Sequence, residues 1–258
     1  MFIETDAVFD GTYFSDMDLT LISTGSGARE VNFGTKQSIV EEKVRSKNYL
    51  YRVDEEPLTF SIAVLLDEDK EWSYEKRREV INWLFKKEYK EFRSLDFPNI
   101  VYYVIAAGDA KLTLASSQRG YFTIEFRCDA PHGWTYPVSV IDYDLSTNTT
   151  STIIEIENLS NIREVYYPEL EFVLQGTSTS LSIVNLSDGL RTFSFSGLNT
   201  SEEIYVDNDK QRIITSVANT YRLDKFNKNW LRLVQGANRL QITGKCTLQI
   251  RCQFPMAL

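Results

Sequence analysis

Acid–base chemistry near neutral pH draws first on histidine, and this chain has one, His132. A Ser-His-Asp arrangement would have to be built on it. Any metal site needing two histidines is excluded. His132 sits between Pro131 and Gly133 and reads as a solvent-exposed turn residue. The three cysteines, Cys128, Cys246 and Cys252, form no Cys-x-x-Cys pair, so a zinc site is not indicated. On one extended strand, Cys246 and Cys252 would stand about 20 Å apart, beyond disulfide reach. All three read as small core hydrophobes in a reducing compartment. Gly25-Ser26-Gly27 lacks the Gly-Lys-Ser/Thr ending and following helix that a phosphate cradle needs, and reads as a loop.

Asp16-Met17-Asp18-Leu19-Thr20 resembles the first motif of haloacid-dehalogenase-type phosphatases, in which one aspartate is nucleophile and the next acid/base. That motif ends a buried parallel strand and usually carries glycine where Leu19 stands. Here Gly11-Thr12-Tyr13-Phe14-Ser15 precedes it, and one strong helix cannot cover a parallel sheet. The aspartates read as a polar turn leading into Leu19–Ile22. Nothing singles out a carboxylate pair for glycoside hydrolysis. No catalytic, cofactor-binding or metal-ligating residue is assigned, and no enzyme activity is expected.

The elements point to a mostly β chain. Leu58, Phe60, Ile62 and Val64 alternate with small or polar residues, as do Phe122, Ile124 and Phe126, each the mark of a half-buried strand. Ile100–Ala107 is an apolar run of strand length. Between these strands lies the one strong helix, with Ser73 as N-cap, Glu75 in its first turn and a stripe of Val80, Ile81, Leu84 and Phe85. Lys86 and Lys87 fall near its far end, where the helix dipole favours cations. Residues 131–150 break the pattern with Pro131, Gly133 and Pro137, and the domain boundary is placed there. The second half offers short strands at Thr152–Glu157, Glu169–Leu174, Ser180–Asn185, Arg191–Phe195, Glu203–Val206, Arg212–Thr215, Trp230–Val234, Arg239–Thr243 and Cys246–Phe254. Gly236-Ala237-Asn238 is read among the turns between them. Such a series predicts an antiparallel sandwich or jelly roll.

Charge narrows the function classes. The 258 residues carry 28 Lys/Arg and 36 Asp/Glu, a net of −8. Residues 1–130 hold 17 Lys/Arg and 23 Asp/Glu, a net of −6. Phosphate-binding surfaces rest on surplus cations, so specific nucleic-acid binding is not expected. The Lys76-Arg77-Arg78 cluster reads as a solvated helix face. No run approaches the roughly 18 apolar residues of a membrane span. The first residues lack a signal-peptide pattern, so membrane insertion and general secretion are not expected.

The ordered set of motifs resembles the distal tail protein (Dit) family of long-tailed, siphovirus-type bacteriophages. Phe9-Asp10-Gly11 is similar to the family's early turn, and Tyr49-Leu50-Tyr51 with Leu58–Val64 to its central strand region. Arg77–Leu84, Phe92–Asn99, Tyr102-Tyr103 and Gly120–Cys128 follow in order. In the second half, Asn158-Leu159, Pro168-Glu169-Leu170, Ile204–Asp207 and Leu233–Leu240 are similar to the family's galectin-like domain. Gly34–Asn48 matches nothing sharply, and the family's usual Gly after Asn158-Leu159 is absent.

The resemblance implies a split β-barrel or sandwich-like N-terminal domain with a helix (1–135) that forms a ring, and a C-terminal galectin-like β-sandwich (136–258). It implies a structural hub of the tail tip or baseplate: a homohexameric ring joining the tail tube to the adhesion apparatus and continuing the DNA channel. Expected partners are further copies of the chain, the major tail tube protein and a tail-associated or tip protein, with a receptor-binding protein as a further candidate. No cofactor is implied. The expected location is the virion tail tip, assembled in the host cytoplasm. The charged segment Gly34–Asn48, with Lys36, Glu41, Glu42, Lys43, Arg45 and Lys47, is expected to project as a hairpin or arm touching neighbours. Two alternatives stay open: a carbohydrate-binding module stacking sugar on Trp230 or Tyr205, and a tail tube subunit.

Overall fold

The computed structural model describes residues 6–22, 37–116, 119–162 and 165–257, and the chain divides into two compact units. The first runs to Tyr136 and takes back the residues from Met256; the second is Pro137–Pro255.

The first unit opens with β1 (Ala7–Phe9) and β2 (Thr12–Tyr13), joined by Asp10-Gly11, both at positive φ. That is the two-residue Asp-Gly hairpin turn, whose twist suits the flanking strands. Then come β3 (Leu19–Ile22), β4 (Gln37–Val44), β5 (Lys47–Glu55), β6 (Thr59–Leu66), helix α1 (Tyr74–Leu84), β7 (Lys90–Ser94), β8 (Ile100–Ser116), β9 (Arg119–Cys128) and β10 (Gly133–Thr135). The main sheet runs β2-β1-β7-β8-β9-β6-β3, with β10 against β8. β8 is longer than its apolar run because Gly108, at φ +74, lies within the register shift between Ala107 and Lys111 and lets pairing with β9 resume beyond it.

Ser73 caps α1, its hydroxyl accepting the Lys76 N–H at 3.1 Å. The helix ends at Leu84, so Lys86 and Lys87 lie past its last turn. It packs through Val80, Trp83 and Leu84, while Ile81 and Phe85 face solvent. Of the expected stripe, Val80 and Leu84 are therefore core and Ile81 and Phe85 are not, and Trp83 is the bulkier anchor in their place. Its ring meets Phe14 at 4.8 Å and Phe9 at 5.7 Å, and its indole donates to the Phe9 carbonyl. Phe60, Phe92 and Phe126 complete this aromatic core.

The second unit contains β11 (Ser139–Asp144), β12 (Thr152–Asn158), β13 (Glu169–Leu174), β14 (Ser180–Asn185), β15 (Arg191–Ser196), β16 (Glu203–Asp207), β17 (Arg212–Thr215), β18 (Gly236–Thr243) and β19 (Cys246–Cys252). A last short strand, β20 (Pro255–Met256), follows. One antiparallel sheet is β11-β19-β13-β16-β17 and the other β12-β18-β14-β15, enclosing one apolar core. The mostly β reading is borne out.

Three details differ from expectation. Trp230–Val234 is not a strand but part of a strap from Ser216 to Gln235 that buries Phe226, Trp230, Leu231 and Leu233. Side-chain amides anchor much of its backbone: Asn208 Oδ1 accepts the Leu231 N–H, and Asn185 Nδ2 donates to the Arg232 carbonyl. Gly236-Ala237-Asn238 is the start of β18, not a turn. β10 and β11 occupy part of the region read as irregular, with Pro137 in the short connection between them, where it interrupts neither strand.

Candidate assembly surface

β4 and β5 form a two-stranded sheet that, among the described residues, pairs with no other strand, and all their residues are exposed. The turn is Arg45-Ser46, with Arg45 at φ +56. Of the residues singled out from sequence, Glu41, Glu42 and Lys43 lie on β4, Arg45 at the turn and Lys47 on β5; Lys36 lies outside the described residues. The hairpin extends to Glu55, seven residues beyond the expected end at Asn48, and absorbs Tyr49-Leu50-Tyr51, expected in the central strand region.

A register shift between Val40 and Glu41 accommodates one extra residue, Tyr51. One face carries Ile39, Val53 and Leu50, with Glu55 and Glu41 beside them and Lys43 beyond Glu41 toward the turn; the other carries Val40, Val44, Tyr49 and Tyr51. Ile39 is 63% exposed, Leu50 62% and Tyr51 65%. Glu42 accepts the Tyr51 hydroxyl, which pushes that phenol's pKa up, and Glu41 accepts from the Asn48 amide. These pairs stay within the hairpin. Sequence reading caught its charges and missed its apolar side chains; the signal was the density of Tyr, Leu and Val between Val44 and Val53.

A second uncovered surface lies on α1. Tyr74, Arg78, Ile81 and Phe85 recur at i, i+4, i+7 and i+11, one stripe of a helix, and all four are exposed. Nearby cations are engaged elsewhere. Lys76 bonds Asp18 at 3.0 Å and Glu79 at 3.1 Å, and Arg77 donates to the Trp72 carbonyl. The Lys76 hydrogen bond is the main reason the Asp18 carboxyl is held below its ordinary range, with Lys70 adding to it. Asp18 is thus a salt-bridged turn residue at φ +54, following a 3-10 turn that contains Asp16; among the described residues no parallel strand presents it as a nucleophile.

The other candidates resolve as structure. His132 is half-buried rather than fully exposed, its ring edge-on to Trp134 at 4.8 Å. The three cysteines are free and buried, and burial pushes the Cys128 and Cys252 thiols up to about 12. Trp230 is core, packed on Phe226 at 4.7 Å, and is unavailable to a sugar. Tyr205 is half-buried on β16, and burial with the neighbouring Glu169 carboxylate moves its hydroxyl up to about 12. Among the described residues there is no metal-ligand cluster and no helix long and apolar enough to cross a membrane.

The chain is similar to several known proteins. The SPbeta prophage-derived uncharacterized protein YomH of Bacillus subtilis (strain 168) is 25% identical over 242 residues, 90% of each chain. The crystal structure of SPP1 Dit (gp 19.1), described as a paradigm of the hub adsorption apparatus in Gram-positive-infecting phages, superposes with a TM-score of 0.67 at 14% identity. The match covers 96% of this chain and 98% of that one, so the two share a fold. A chain of the activated phage P2 baseplate with Ca covers 91% of this chain at a TM-score of 0.45 and 10% identity. Residues 2–130 match the model described as phage tail protein N-terminal domain and residues 133–252 that of the phage tail C-terminal domain, so the chain belongs to this phage tail protein family.

Proposed function

We propose that the chain is a structural hub of a phage tail tip, acting as a homohexameric ring rather than as an enzyme. The observation that carries the reading is the β4–β5 hairpin. A two-stranded ribbon exposed on both faces is marginal in water alone. This one holds Ile39, Leu50 and Val53 in solvent, where a partner would bury them. A ring needs heterologous, closing contacts, in which one patch of each copy meets a different patch of the next. Family membership and the fold shared with the SPP1 hub protein support the same reading.

In this account the first unit builds the ring. The tail tube protein and a tip protein dock on opposite faces of the ring, and a receptor-binding protein is a further partner. The virion tail is its place, after assembly in the host cytoplasm. The net −6 of residues 1–130 suits a channel wall that lets DNA slide without adhering. The burial of Trp230 and the Glu169 contact of Tyr205 give the sugar-binding reading no support.

The hairpin supplies the test. Replacing residues 38–54 with a short Gly/Ser turn removes no strand from the main sheet. The variant is expected to melt within a few degrees of the native chain and to lose the multimer, as read by light scattering. A shortened chain that still assembles would sink this role for the hairpin.

A further inference from the structure

We propose that the outer stripe of α1 is the seat for the hairpin of the next copy, so that the Ile39/Val53/Leu50 face of one chain packs on Tyr74, Ile81 and Phe85 of its neighbour. This rests on the ring reading and names its contact.

Three observations carry it. Both surfaces belong to the first unit, and within one chain neither is covered: Ile81 is 53% exposed and Tyr74 74%. Their lengths match. From Tyr74 to Phe85 is about 16 Å at the helical rise, and from Leu50 to Glu55 is about 16 Å along a strand. Their charges are complementary. The helix stripe contains one cation, Arg78, with no partner among the described residues; on the hairpin face Glu55 and Glu41 flank Ile39, Val53 and Leu50, and Lys43 lies beyond Glu41 toward the turn. Arg78 against a carboxylate sets the register, and the apolar side chains supply the burial. Because hairpin and helix stripe are different patches, the contact is head-to-tail and repeats around a ring.

The test uses two full-length single variants, Ile81→Cys and Val53→Cys, treated with a short bismaleimide. The native cysteines are buried and leave the new thiols as the reactive ones. Both positions are exposed, so folding is retained. Mixing the variants is expected to give a covalent dimer at least tenfold above either alone, and the double variant a ladder beyond dimer. Arg78→Glu is expected to abolish the mixed cross-link when introduced with Ile81→Cys, and Glu41→Arg on the Val53→Cys partner to restore part of it. Light scattering on the same samples separates the failures. A multimer without mixed cross-linking overturns this contact and leaves the ring. A monomer, or cross-linking confined to one chain, overturns the contact and removes its support.

Discussion

Replacing Glu202 with alanine is expected to cost the second unit about 3–5 kcal/mol, the usual result of stripping one partner from a buried ion pair. The Glu202 side chain is fully buried. Arg222 grips it in bidentate fashion, Nε to Oε1 at 2.7 Å and Nη2 to Oε2 at 2.9 Å. The Thr215 hydroxyl and the Asn199 N–H also donate to it. This carboxylate therefore ties the end of β17 and the strap to the start of β16, and its loss leaves the guanidinium and two further donors without an acceptor. Burial acts to raise the Glu202 pKa, but Arg222, Thr215 and the Asn199 N–H together override it and hold the carboxyl below its ordinary range. A depressed folded pKa means the contribution is fully present above the unfolded carboxyl value, about 4.3, and is lost as pH falls through the folded one. Urea unfolding of native and Glu202→Ala chains, followed by amide exchange in β16 and β17, should thus differ widely at pH 7 and converge in acid. An unchanged midpoint at pH 7 would refute the account of this strap.

Gly120→Val is the corresponding lesion in the first unit. A Cβ at Gly120 would stand 2.0 Å from the Thr113 carbonyl oxygen and 2.9 Å from the Leu114 Cα, both backbone atoms of the paired strand β8. Neither can yield without opening the β8–β9 hairpin. The Gly120 carbonyl also accepts the buried Trp72 indole N–H at 2.9 Å, so displacing this strand orphans a donor beside the core. We expect a loss of about 3 kcal/mol or more, at the upper end of core overpacking, and a fall in melting temperature of about 10 °C. A Gly120→Val chain that melts with the native one would show that β8 and β9 do not pair as described.

The same residues show what was legible beforehand. Cys246, Leu248, Ile250 and Cys252 alternate strictly with polar residues, and β19 has that register, buried in the middle of a sheet. Ser73 announced the helix start. Trp230–Val234 misled because apolar side chains say only that a segment is buried; what holds this one is a set of asparagine amides distant in sequence. The segment was legible as a charged hairpin or arm, but its extent was not: Tyr49-Leu50-Tyr51 was assigned to the central strands, since strands with no buried face need show no two-residue alternation. In the proposed ring its apolar side chains are buried by a second chain. For the same reason the helix stripe was mistaken for core: Ile81 and Phe85 have the spacing of buried residues, and in the proposed ring a neighbour buries them.

The most direct measurement is negative-stain imaging of the purified full-length protein, with light-scattering mass on the same sample. The ring reading predicts six-fold particles with an open centre and a mass six times that of the chain. A closed two-fold dimer, or a compact particle without a central opening, would contradict it.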